Sequence, residues 1–131
     1  GGVRNVFMED CKFEGTDRAI RIKSRADRGG VVENIYARNL KVKHMQREVA
    51  ILNMDYGADR NQPIASKPPV FRNMQFENIT GDGAPTAILL QGMAESPIEN
   101  MPLVEMPCIV TKDDHIQQRC CGELCVRVGL R

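Results

Sequence analysis

Asn34-Ile35-Tyr36-Ala37-Arg38-Asn39-Leu40-Lys41-Val42 states a phrase that the chain uses repeatedly. An Asn is followed by spaced apolar residues, then by a second Asn or Asp and two more spaced apolar residues. The phrase also runs Asn5-Val6-Phe7-Met8-Glu9-Asp10-Cys11-Lys12-Phe13 and Asn73-Met74-Gln75-Phe76-Glu77-Asn78-Ile79-Thr80. A worn copy follows at Asn100-Met101-Pro102-Leu103-Val104-Glu105-Met106. Alternation of period two is the mark of a strand with one buried face. The alternation changes phase at Asp10, Asn39 and Asn78, because strict alternation would put Met8 and Cys11 on opposite faces. One residue must turn a corner there, and Asn and Asp tolerate the left-handed backbone that such a corner needs. Stacked copies would set these corners above one another as a ladder.

Each of the first three copies is followed, after a turn-rich gap, by a second short apolar segment. These segments are Ala19-Ile20-Arg21-Ile22, Ala50-Ile51-Leu52-Asn53 and Ala87-Ile88-Leu89-Leu90, each about fifteen residues after its Asn. A unit of about thirty residues built from short strands predicts an all-β solenoid of stacked coils rather than a compact sandwich. An antiparallel meander with Asn-rich turns uses the same alternation and stands as the alternative. Variable loops such as Asp55 to Pro69 are where a solenoid places insertions that form a binding face. No sustained helical periodicity is present.

Composition sets outer bounds. The 131 residues suffice for one domain with a modest core, and tryptophan is absent, so that core must be aliphatic. A formal net charge of +1 argues against a general nucleic-acid binder. No apolar run approaches the roughly 18 residues of a membrane span, so no membrane partner is expected. The five cysteines cannot complete a disulfide framework within one chain. Cys11 sits in the apolar pattern as a small buried hydrophobe, whereas Cys108, Cys120, Cys121 and Cys125 fall where the repeat has stopped. With His115 they match no compact zinc spacing, so neither a metal nor a cofactor is expected. The chain therefore divides into residues 1–106, carrying the repeat, and an atypical tail at 107–131 expected to be disordered or frame-shifted.

The most chemically suggestive stretch is Gly15-Thr16-Asp17-Arg18-Ala19-Ile20-Arg21-Ile22-Lys23-Ser24. In a strand, Ile20 and Ile22 point one way while Arg21 and Lys23 point the other, with Ala19 sharing their parity. Arg18, Arg25 and Arg28 make the neighbourhood locally basic. A carboxylate suits such a pair, since guanidinium grips it bidentately and ammonium adds a point charge. A merely solvated charged face is the plainer alternative.

With repeat and basic strand together, residues Gly2 to Met106 resemble the C-terminal part of a polygalacturonase, glycoside hydrolase family 28. The most specific element is Arg21-Ile22-Lys23, between Gly15-Thr16-Asp17-Arg18-Ala19 and Gly29-Gly30-Val31-Val32-Glu33-Asn34. The resemblance implies a right-handed parallel β-helix, here about three to four coils of a longer one. It implies that Arg21 and Lys23 bind a galacturonate carboxylate on the leaving-group side of the scissile bond, with Tyr56 at the end of the following coil's strand. Acidic galacturonan is then the implied partner, and a secreted or periplasmic location the implied compartment. Ala19 departs from the family's usual Gly, and its methyl group is expected to crowd the groove. Tyr36 is expected to be only an outward strand residue.

Inverting glycoside hydrolysis needs a carboxylic acid and a carboxylate base about 6.5–9.5 Å apart. The resemblance places these in an Asn-Thr-Asp motif, an Asp-Asp pair and a Gly-His-Gly motif upstream of Arg-Ile-Lys, and this chain contains none of them. It begins just after the position expected for Gly-His-Gly. Asp113-Asp114 lies downstream, outside the repeat; Glu9-Asp10 joins a strand residue to a corner; His44 ends a strand. None is taken as catalytic. The expectation is an enzyme fragment that holds substrate without turning it over, and that self-associates through exposed solenoid ends. A non-catalytic binder of acidic carbohydrate and a purely structural solenoid are the alternatives.

Overall fold

The computed structural model describes residues 1–54, 56–57 and 67–102, together with the backbone of residues 103–104 and 126–130. The strands are β1 (Gly2–Glu9), β2 (Lys12–Glu14), β3 (Ile20–Lys23), β4 (Val31–Lys43), β5 (Ala50–Asn53), β6 (Val70–Asp82), β7 (Ile88–Gly92), β8 (Leu103–Val104) and β9 (Val126–Leu130). Every pairing between them is parallel, and no helix occurs among the described residues. The architecture is all-β, and the meander is excluded, since its neighbours would run antiparallel.

The strands form two sheets. The larger has the order β1-β4-β6-β8 with β2 also pairing β4, and the smaller has the order β3-β5-β7-β9. The recurring phrases lie side by side in the larger sheet: Val6 opposes Ile35, Ile35 opposes Met74, and Leu40 opposes Ile79. The short apolar segments build the smaller sheet.

Burial along β4 explains its length. Ile35 and Ala37 are buried, Arg38 and Asn39 are both exposed, and burial resumes at Leu40 and Val42. The phase therefore slips by one residue at Asn39, where φ is 55°. Asp10 (φ 56°) and Asn78 (φ 49°) make the same corner in their own copies. The Asn39 amide donates to Asp10 Oδ1 at 3.1 Å, and the Asn78 amide donates to Asn39 Oδ1 at 2.9 Å. The corner ladder expected from the phrase is thus present. A second row, not foreseen, joins the opening residues of the phrase. Asn34 donates to Asn5, Asn73 to Asn34 and Asn100 to Asn73, and all four have φ between 48° and 58°. Each Asn satisfies its neighbour's carbonyl while sitting in the backbone region that its short polar side chain tolerates.

One hydrophobic cluster takes residues from both sheets: Leu40 and Val42 of β4, Phe71, Met74, Phe76 and Ile79 of β6, Ile20 of β3, Leu52 of β5 and Ile88 of β7. It is aliphatic apart from two phenylalanines, as the composition requires. Cys11 is half-buried and packs against it. Gly81, with φ 145°, lies opposite Val42, and a β-carbon there would collide with the Val42 carbonyl oxygen. Only glycine fits that approach.

Cys108, Cys120, Cys121, Cys125, His115 and Asp113-Asp114 lie outside the described residues, as does most of the loop after Tyr56. In the stretch expected to be a tail, the backbone of β9 pairs in parallel with β7, Ile88 opposing Val126 and Gly92 opposing Leu130. Among the described residues, no helix is long and apolar enough to cross a membrane, and no cluster of His, Cys, Asp and Glu could hold a metal ion.

Candidate functional site

β3 is Ile20-Arg21-Ile22-Lys23. Ile20 is buried and Ile22 packs against the core, which turns Arg21 and Lys23 outward. In register, Arg21 lies beside Ile51 and Lys23 beside Asn53. Aligning the two segments by their alanines would have put Arg21 beside Leu52; the pairing is one residue away from that, because Leu52 belongs to the core. Ala19 was expected on the groove face. It instead precedes the strand and packs against the core, so its methyl group does not line the cleft. Alternation does not extend beyond the first residue of β3.

Two backbone bonds bring Tyr56 over the cations. Ser24 N donates to Asn53 O at 2.8 Å, and Tyr56 N donates to Ser24 O at 2.9 Å. The chain leaving β5 is thereby tied to the chain leaving β3. Lys23 Nζ then lies 4.1 Å from the Tyr56 ring centroid, and Arg21 Cζ lies 5.0 Å from it. Both fall within the range of a cation–π contact. The three candidate binding residues are therefore together, although more than thirty positions separate Arg21 from Tyr56 in sequence. The charge of Lys23, and then that of Arg21, lowers the Tyr56 phenol from its usual value by favouring the phenolate, against a smaller opposing effect of burial.

Among the described residues no carboxylate forms an ion pair with Arg21 or Lys23. Other cations of the same stretch are engaged: Arg25 grips Asp27 through two nitrogens at 3.0 and 2.8 Å. Arg18, only 10% exposed, donates Nε to Glu48 at 2.7 Å and Nη1 to Asp17. Asp17 also receives Arg47 Nε at 3.2 Å. Arg21 and Lys23, the group of Asp17, Arg18 and Arg47, and Ile51, Asn53 and Tyr56 border a cleft of about 400 Å³, within the usual range for ligand sites. Arg47, Asn53 and the partners of Arg18 were not legible in the motif alone. Their signal is the register of β3 on β5, which the sequence does not state.

The larger sheet carries its own outer features. Tyr36, expected as a plain outward residue, is outward and also stacks on Phe7, with ring centroids 5.1 Å apart and planes 16° apart. His44 is exposed, and Glu9 and Asp10 take the strand and corner positions expected of them.

Residues 1–118 match the family model of Glycosyl hydrolases family 28, and the chain belongs to that family. It is 28% identical over 98 residues to a probable polygalacturonase of Vitis vinifera, covering 74% of this chain and 20% of that protein. It is 29% identical over 98 residues to an endo-polygalacturonase of Pectobacterium parmentieri, covering 75% of this chain and 23% of the relative. An endo-polygalacturonase of Pectobacterium carotovorum subsp. carotovorum is similar to the same degree. The chain thus spans about a fifth of the length of these relatives. No solved structure matches it.

Proposed function

We propose that this chain is the part of a polygalacturonase-type glycosidase that grips an acidic galacturonan through Arg21, Lys23 and Tyr56. One observation carries the reading. In a chain of glycoside hydrolase family 28, two outward cations share one tyrosine ring and meet no acid among the described residues. A uronate carboxylate would supply the missing negative charge, bidentate on Arg21 and as a point charge on Lys23, with the Tyr56 ring holding both cations in place.

Residues 1–106 are read as part of a right-handed parallel β-helix. The support is that from β2 onward successive strands alternate between the two parallel sheets, and that parallel crossovers are right-handed in almost every known case. Open edges on β1 and β3 then favour association with further strands of the same kind, including those of a second copy. The stretch at 107–131 is read as lacking the recurring phrase, although the backbone of β9 within it extends the smaller sheet beside β7.

The acid and base of hydrolysis are not assigned to any residue of this chain. Binding the ground state without them does not lower the barrier, so the isolated chain should release no reducing ends from polygalacturonate. Titration with oligogalacturonates tests the binding. Affinity should fall as salt rises, fall by tenfold or more in Arg21→Ala with Lys23→Ala, and vanish when neutral oligosaccharides replace the acidic ones. Salt-independent binding, or equal affinity for neutral chains, would overturn the reading, as would turnover by the chain alone.

A further inference from the structure

We propose that Arg47 is a second carboxylate subsite of the same cleft, reading a neighbouring uronate of the chain whose first carboxylate lies on Arg21 and Lys23. This rests on the preceding assignment of that first carboxylate.

The cleft does not end at Tyr56. Its other border is formed by Asp17, Arg18 and Arg47, so four cations and a single carboxylate line it. Backbone bonds fix this border: Gln46 N donates to Thr16 O at 3.0 Å, and Arg47 N to Asp17 O at 3.1 Å. These bonds lie before β3 and β5, whereas the bond that seats Tyr56, from its N to Ser24 O, lies after them, so Arg47 and Tyr56 meet the cleft at opposite ends of the paired strands.

The two arginines of this border have different jobs. Arg18 is 10% exposed and shared between Asp17 and Glu48, which is itself 19% exposed. A guanidinium so enclosed, with an acid on two sides, is a structural tie that holds Asp17. Arg47 is 65% exposed, and among the described residues its one acidic partner is Asp17, reached through Nε. Asp17 already accepts from Arg18, so it offers Arg47 only part of a countercharge. It orients the guanidinium at the cleft without neutralising it. An incoming carboxylate takes the remaining donors in the fork geometry that favours Arg over Lys.

A polymer of one charge repeated along its length fits two separated cationic stations, whereas a single uronic acid can use only one. Chain length is therefore the readout. Galacturonic acid and trigalacturonate are titrated against the chain and its Arg21→Ala and Arg47→Gln variants at low salt, with far-UV circular dichroism as the check on folding. Arg47→Gln should weaken trigalacturonate about threefold to fivefold, the scale of an exposed ion pair, and leave galacturonic acid unchanged. Arg47→Lys, keeping charge without the fork, should recover part of the loss. Arg21→Ala should weaken both ligands. If Arg47→Gln binds trigalacturonate as the parent does while Arg21→Ala is impaired, the second subsite is refuted and the first stands. If Arg21→Ala binds both ligands as the parent does, the first assignment fails and takes the second with it.

Discussion

The outer faces of the two sheets solve the problem of exposed charge in opposite ways. On the larger sheet, the three arginines meet acids across the strands. Glu33 sits between Arg4 at 2.9 Å and Arg72 at 2.8 Å, and Glu9 meets Arg38 at 2.9 Å, each acid being the register partner of its cations. On the smaller sheet, Arg21 has Ile51 as its register partner and Lys23 has Asn53, and the cations rest on an aromatic ring instead. Balanced charge gives a soluble surface that asks for nothing further. Unbalanced charge on a fixed strand retains its attraction for an anion, which is why the smaller sheet is read as the binding face. The larger sheet, with the longer strands and the two Asn rows, is expected to carry more of the stability.

The largest expected effect tests that division. Phe76 on β6 is fully buried in the common cluster, and Phe76→Ala should cost about 3–5 kcal/mol in urea unfolding. An effect below about 1 kcal/mol would show that the larger sheet does not anchor the fold as described.

The alternation and its slip at Asn39 were enough to place strands, corners and one ladder, because each is a local rule of period and backbone tolerance. The second Asn row was equally present, in Asn5, Asn34, Asn73 and Asn100, and could have been read from recurrence alone. The cation pair was legible as a motif. The countercharges of its neighbours were not, because Arg18 finds Glu48 and Arg47 finds Asp17 only through the register of one strand on the next, and register depends on which side chains reach the core. Ala19 shows the same limit: parity put it on the groove face, and the strand began one residue too late for parity to apply.

The next effect is on the corners. Asn39 combines φ 55° with hydrogen bonds to Asp10 and from Asn78. Asn39→Ala loses both bonds and places an unassisted side chain in the left-handed region, at a cost of about 1–2 kcal/mol. Asn39→Gly keeps the backbone freedom and should cost about half as much. Equal losses from the two would mean that the corner conformation contributes nothing.

A direct test of the charge comparison copies the larger sheet onto the smaller. Asn53→Glu puts an acid at the register partner of Lys23, as Glu33 stands to Arg4. Oligogalacturonate affinity should fall about tenfold, or about 1.4 kcal/mol. Retained affinity would show that unbalanced charge is not what makes the smaller sheet the binding face.

Tyr56 offers a milder probe. Because Lys23 and Arg21 lower its phenol from the usual value, the phenolate forms as pH rises through that depressed value, before an ordinary tyrosine would ionise. The phenolate then neutralises the cations that a carboxylate needs. Affinity should therefore decline on the alkaline side in the parent chain. Tyr56→Phe, which keeps the ring and cannot ionise, should hold its affinity through the same range. Superimposable pH profiles would remove Tyr56 from the electrostatics of the cleft.

The smallest effect belongs to the balanced face. Arg38 and Glu9 are 56% and 43% exposed, and an ion pair so hydrated gains little over its separated partners. Arg38→Ala should change stability by no more than about 0.5 kcal/mol and leave oligogalacturonate affinity where it was. The substitution removes a full positive charge, as Arg21→Ala does, so net charge falls equally in both. A loss of affinity in Arg38→Ala as large as that in Arg21→Ala would mean that the anion responds to the charge of the whole molecule. A loss confined to Arg21→Ala would place the attraction on the strand whose cations meet no acid among the described residues.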